Sequence, residues 1–194
     1  MKTYDGYTPE AWMAELSPTD EANSRHILAA FARLGIPKSY LDIGCGTGAM
    51  VETARKLGVL AYGVDQLVEE GVWPHYFFHH NLVDPFLLPL ESRVELVTCF
   101  EVAEHLHESA HATLCDTICN NLAPGGNYLL FSAARPGQGG TGHISTRPAE
   151  YWHEQMLLRG LSYNAYLTMN IAHIFSIMGT SLNYLWDNLI VFEK

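Results

Sequence analysis

The sequence has no apolar run approaching the about 18 residues that a membrane-spanning helix needs, which excludes a helical membrane span. Its opening residues, Met1-Lys2-Thr3-Tyr4-Asp5-Gly6, lack the apolar centre of a secretion signal, so no signal peptide is expected. Cysteine is scarce. Cys45, Cys99, Cys115 and Cys119 show no zinc-binding spacing, and they read as small buried hydrophobes whose free thiols fit a reducing, cytoplasmic setting. Basic residues are few: 11 Lys and Arg against 21 Asp and Glu give a net charge of −10. Such a surface repels a phosphate backbone unless a local basic patch compensates. Arg33 and Lys38 are scattered and Arg55-Lys56 is only a dipeptide, so long nucleic acid is disfavoured as a partner, whereas a short RNA end is not excluded. Internal repeats, low-complexity tracts and linkers are lacking too.

What is present is 194 residues with 48% apolar content, enough for one sizeable core and one domain over 1–194. Residues 1–18 are rich in aromatics and turn formers (Tyr4, Tyr7, Pro9, Trp12, Pro18) and read as a cover segment. A helix is expected from Thr19-Asp20-Glu21 onward, with Ile27, Leu28, Phe31 and Leu34 on one face and Gly35 and Pro37 as its stop.

The most informative stretch is Leu41-Asp42-Ile43-Gly44-Cys45-Gly46-Thr47-Gly48. It joins a short apolar strand to a helix-like segment, Ala49 to Leu57. Glycines at such a turn let a ligand approach the bare backbone, and the helix N-terminus adds free N–H groups. Read as Gly44-x-Gly46-x-x-Ala49, the turn fits a dinucleotide fingerprint, with Asp65 near the about 20-residue distance of a ribose-binding acid. Read as Asp42-x-Gly44-x-Gly46-x-Gly48, it resembles the first motif of class I S-adenosylmethionine (SAM) methyltransferases. Alone, the turn does not decide between them.

The rest of the chain does. Val59 to Asp65 reads as a second strand ending in an acid, and His75 to His79 as a third leading to Asn81-Leu82. Val94 onward gives a fourth, whose exit is Glu101-Val102-Ala103-Glu104-His105. A helix ending in Leu122-Ala123-Pro124-Gly125-Gly126 precedes a fifth strand, Asn127 to Ser132. Pro148 opens a helix through Arg159. Leu161 to Leu167 is then expected as strand six, Thr168 to Met178 as a helix, and Asn188 to Glu193 as the last strand. In this order and register, residues 25–194 resemble the class I SAM-dependent methyltransferase family. The Glu-Val-Ala-Glu-His run is similar to that of ubiquinone-pathway O-methyltransferases and small-RNA 2′-O-methyltransferases. A dehydrogenase would usually need a further substrate domain, for which little chain is left. The resemblance implies an α/β, Rossmann-like sheet of seven mostly parallel strands with helices on both faces. Its last strand is antiparallel, inserted between strands five and six.

It also implies a site. Asp42, Gly44, Cys45, Gly46 and Gly48 would hold the amino-acid end of SAM, with Arg25 near its carboxylate. Asp65 would take the ribose hydroxyls with Gln66 alongside. Asn81 and Leu82 would meet the adenine, an amide standing where the family usually has an acid, and Phe100 and Glu101 would border the cofactor. If the run from Glu101 turns helical, Glu101, Glu104 and His105 share one face. With His143, reachable from a loop holding Gly137, Gly139, Gly140 and Gly142, they would form a site for one divalent metal ion. The catalytic candidates are His143, His105 and Glu101. His75, His79 and His80 read as structural. An acidic surface and an aromatic lid (Tyr4, Tyr7, Trp12, Tyr151, Trp152) point to O-methylation of a small-molecule acceptor. A metal-assisted 2′-O-methylation of an RNA end, or a SAM-binding module without catalysis, are the alternatives.

Overall fold

A computed structural model describes residues 24, 25, 27, 29–68, 72–91, 93–177 and 183–194, the side chains of Asn183 and Tyr184 excepted. Tyr4, Tyr7, Trp12 and the expected helix start at Thr19 lie outside these residues. A helix (α1) runs to residue 34. There the amide of Gly35, at φ 89°, bonds back to the Phe31 carbonyl at 2.8 Å and closes the helix, a conformation that suits glycine.

Seven strands form one sheet: β1 (Ser39–Ile43), β2 (Leu60–Asp65), β3 (Phe77–His79), β4 (Leu96–Phe100), β5 (Tyr128–Ser132), β6 (Ser162–Tyr163) and β7 (Ile190–Glu193). Their order is β3-β2-β1-β4-β5-β7-β6. β1 to β5 pair in parallel, and β7 runs antiparallel to both β5 and β6. The helices are α2 (Ala49–Lys56), α3 (His111–Asn121), α4 (Ala149–Leu157), α5 (Ala165–Ile177) and α6 (Asn183–Asn188).

Strand periodicity explains why the central strands are apolar on both faces. Leu41 and Ile43, Val97 and Cys99, Leu129 and Phe131, Ile190 and Phe192 all enter one core, packed under α3 and α4. Their neighbours Tyr40, Leu96, Leu130 and Val191 enter the other, under α1, α2 and α5. The four cysteines form no disulfide among the described residues and are buried, as expected of small hydrophobes. Burial pushes the Cys115 thiol up to about 12 and that of Cys119 to about 11, so neither is poised to react.

Three expected bounds shift, among them the last strand, which begins at Ile190 and not Asn188 because Asn188 ends α6. Strand six is only Ser162–Tyr163, not Leu161 to Leu167. Asn164 is the reason: its Oδ1 accepts the Leu167 amide at 3.0 Å and its carbonyl accepts the Thr168 amide at 3.0 Å. That N-cap starts α5 at Ala165, ahead of the expected Thr168. Strand three begins at Phe77 rather than His75, because the Phe77 amide closes a turn onto the Pro74 carbonyl at 2.9 Å.

No helix among the described residues is long and apolar enough to cross a membrane.

Candidate active site

The strand order reverses between β1 and β4, and the crevice beyond the carboxyl ends of those strands is where such sheets receive ligands. On the β1 side the glycine turn is set by backbone conformation. Gly44, Gly46 and Gly48 all have positive φ (76°, 51° and 80°). A Cβ on Gly44 would lie 2.2 Å from Val102 Cγ2, and one on Gly48 would lie 2.5 Å from Phe77. The first contact shows that the turn and the exit of β4 abut. Cys45 is buried beside Gly63, whose Cβ would meet its sulfur at 2.8 Å.

Asp65, at the end of β2, ties this turn down. Its Oδ2 accepts the Gly46 amide at 3.0 Å and its Oδ1 the Leu67 amide at 2.9 Å. A carboxylate oxygen has two lone pairs, so both keep capacity for ribose hydroxyls. Gln66 follows it, partly exposed. Asp42 is 1% exposed, and its Oδ1 accepts the Thr98 hydroxyl at 2.6 Å; Tyr40 and Thr98 share a further 2.6 Å bond. Asn81 accepts the Val83 amide at 3.2 Å in a local turn, Leu82 is buried in the core, and Phe100 is half-buried at the end of β4. Arg25 lies exposed on α1. His79 and His80 bond to the Val68 and Asp84 carbonyls, in keeping with structural roles.

Beyond β4 the backbone departs from the expected helical turn. Glu101 has φ 52°, the one non-glycine positive φ among the described residues. Its amide faces Ser132, bonding to the carbonyl at 3.1 Å and Oγ at 3.2 Å. A strained non-glycine residue at a strand exit is held by its surroundings, and such outliers gather at functional sites. Ala103–His105 then form a single 3-10 turn. Glu101 is therefore not in register with the next two candidates, and the group of adjacent ligand atoms is Glu104, His105 and His143, mutually within 4.8 Å.

Loop residues 133–147 close over this turn. The Ile144 and Ser145 amides bond to the Glu104 carbonyl at 2.9 and 3.0 Å, and the Ala134 amide bonds to Glu104 Oε1 at 3.0 Å. His105 Nδ1 donates to the Gly142 carbonyl at 3.0 Å, and His143 Nδ1 donates to the Gln138 carbonyl at 3.3 Å. A Cβ on Gly140 would lie 2.3 Å from the His143 ring, so glycine there makes room for the imidazole.

The electrostatics are unusual. Glu104 is fully buried, and its Oε2 has no hydrogen-bond partner among the described residues. Burial, reinforced by the nearby Glu101 charge, pushes its carboxyl up to about 9. Glu104, His105 and His143 offer ligand atoms of the kind a divalent cation takes. Glu104 has an orphaned oxygen, and two imidazoles are oriented through Nδ1–H bonds to carbonyls, as metal-ligating histidines are. Behind the turn His111 is fully buried. Its Nε2 donates to the Ala103 carbonyl at 3.2 Å and its Nδ1 takes the Tyr151 hydroxyl at 3.2 Å, while burial lowers its pKa. Tyr151 thus packs on His111, and Trp152, 1% exposed, is a core residue rather than a pocket wall.

Two contributors escaped the sequence reading. Ser132 fixes the Glu101 amide, and Asn188, 1% exposed, donates from Nδ2 to Glu101 Oε1 at 3.4 Å. No local pattern marks Asn188, because its partner lies 87 residues away.

The family described as methyltransferase domain matches residues 13–189. A ubiquinone biosynthesis O-methyltransferase of Aromatoleum aromaticum is 28% identical over 131 residues, covering 61% of this chain and 54% of that protein. The protein of the same name from Paraburkholderia phytofirmans is 29% identical over 133 residues, with the same two coverages of 61% and 54%. The chain thus spans about half the length of the curated relatives it matches. Among solved structures, 1,6-didemethyltoxoflavin-N1-methyltransferase of Burkholderia thailandensis, with 1,6-didemethyltoxoflavin and S-adenosylhomocysteine bound, is similar at TM-score 0.61. It is 15% identical, with 97% of this chain and 91% of that chain covered. N-methyltransferase NodS of Bradyrhizobium japonicum, with S-adenosylhomocysteine, also gives TM-score 0.61, at 18% identity and 96% coverage of both chains. These two likenesses establish the fold.

Proposed function

This chain belongs to the class I SAM-dependent methyltransferase family, and we propose that it transfers the SAM methyl to an oxygen of a small-molecule acceptor in the cytoplasm. The observation that carries the oxygen reading is the Glu104, His105 and His143 group beside the β4 exit. Its two imidazoles supply proton acceptors where an acceptor hydroxyl must lose its proton. The names of the O-methyltransferase relatives support the same choice. The net charge of −10 favours a small molecule over a long nucleic acid.

In this reading the glycine turn, Asp42 and Glu101 receive the amino-acid end of SAM, and Arg25 lies toward its carboxylate. Asp65 and Gln66 take the ribose, Asn81 and Leu82 meet the adenine, and Phe100 packs beside it. The sulfonium is its own leaving group, so the protein chiefly aligns the acceptor. The acceptor oxygen forms a bond to the methyl carbon, the carbon–sulfur bond breaks, and its electron pair stays on sulfur, leaving S-adenosylhomocysteine. With no ion on the imidazoles, the hydroxyl proton passes to Nε2 of His143 or His105, Nδ1 being held by a carbonyl in each. Glu104, His105 and His143 would hold a divalent ion, which when bound lowers the pKa of a coordinated hydroxyl. Glu101 borders that group.

The test is a screen with methyl-labelled SAM against small hydroxylated compounds and against short RNAs. Label in an ether of a small molecule supports the proposal. Label in RNA alone replaces the acceptor class, and S-adenosylhomocysteine binding without transfer to either marks a binding module.

A further inference from the structure

Asn188 has no part in the reading above, yet its placement is informative. Ile190, the first residue of β7, pairs with Phe131 near the carboxyl end of β5. Asn188 precedes it by two residues, so it sits on the same edge of the sheet as Gly44, Glu101 and Ser132. The side chain is 1% exposed. Its orientation is fixed by chemistry: Nδ2 donates to the Glu101 carboxylate at 3.4 Å, because turning the amide over would set oxygen against oxygen. Oδ1 is left buried with no partner among the described residues. A buried orphan acceptor costs stability unless something fills it.

We propose that Asn188 binds the ammonium group of SAM, its Oδ1 and the Glu101 carboxylate forming a paired acceptor site; this rests on the SAM-dependent reading above. Oδ1 can only accept, which excludes the SAM carboxylate as its partner. An ammonium offers three donors and a positive charge, matching one amide oxygen beside one carboxylate. Location agrees. Val102, next to Glu101, packs where a Gly44 Cβ would stand, so the pair borders the glycine turn that receives the amino-acid end. The ribose candidate Asp65 and the adenine candidate Asn81 lie instead along β2 and β3, on the far side of β1.

The experiment compares two probes by calorimetry: S-adenosylhomocysteine, which carries the ammonium, and 5′-methylthioadenosine, which has the nucleoside and sulfur but no amino-acid end. For Asn188→Leu the proposal expects the S-adenosylhomocysteine Kd to rise about tenfold or more, with 5′-methylthioadenosine unchanged. Unchanged affinity for both would overturn it and move Asn188 to the acceptor side. If both probes weaken equally, in Asn188→Leu and in the smaller Asn188→Ser, the role is only structural and the proposal also fails. A wild-type protein that binds neither probe would instead refute the SAM-dependent reading itself.

Discussion

His105 and His143 face each other with ring centroids 5.1 Å apart and planes at 74°, although 38 positions separate them in the chain. Each is held through Nδ1 to a carbonyl of the loop that carries His143. That arrangement keeps both rings beside Glu104.

His105→Ala and His143→Ala should therefore lower turnover about 10- to 100-fold while leaving S-adenosylhomocysteine affinity within about twofold. A chelator should do the same to the wild type, with recovery on adding back manganese, magnesium, iron or zinc. Steady-state kinetics with labelled SAM, paired with calorimetry, separates the two effects. Full activity in chelator would reduce His143 to a plain base.

Gly140→Ala should mimic the loss of His143, because the added Cβ would stand 2.3 Å from its imidazole. The double variant with His143→Ala should be no worse than either single one, since both remove the same ring from the site. Additive losses would show that Gly140 matters for the loop and not for the histidine.

Gly44→Ala combines a φ of 76° with a Cβ 2.2 Å from Val102 Cγ2. A cost of about 1–3 kcal/mol is expected, together with weaker S-adenosylhomocysteine binding. Denaturant melts and calorimetry measure the two.

Glu104 makes metal-free stability depend on pH. Its folded pKa of about 9 lies above the ordinary 4.5, so between these values the folded state keeps a proton that the unfolded chain has lost. The stabilisation is complete below the unfolded value and disappears as pH rises through the folded one. The chelated wild type should melt lower at pH 9 than at pH 6, and Glu104→Gln should flatten that slope. An unchanged slope in the variant would show that the carboxyl is not the group responsible.

The backbone features proposed to hold the cofactor were legible because their signals are local. Glycines at alternate positions, Asp65 at a strand end and Asn81-Leu82 after the next strand each act within a few residues of their own backbone. The alternation that splits Leu41 and Ile43 from Tyr40 across two cores could be read for the same reason. The β4 exit was harder. A helical turn fits the Glu101 spacing, but the bonds from its amide to Ser132 hold φ at 52° and remove it from register with Glu104 and His105. Asn164 shortened β6 through a cap that hydrophobic periodicity does not report. Asn188 and Gly140 act through long-range or volumetric contacts, which spacing does not encode.

Methyl transfer from SAM to a small-molecule oxygen is measured directly by mass spectrometry of acceptors incubated with the protein and methyl-labelled SAM. A labelled ether is expected, formed together with S-adenosylhomocysteine and reduced about 10- to 100-fold in His143→Ala. Tight S-adenosylhomocysteine binding with label appearing only in RNA, or on no acceptor at all, would contradict it.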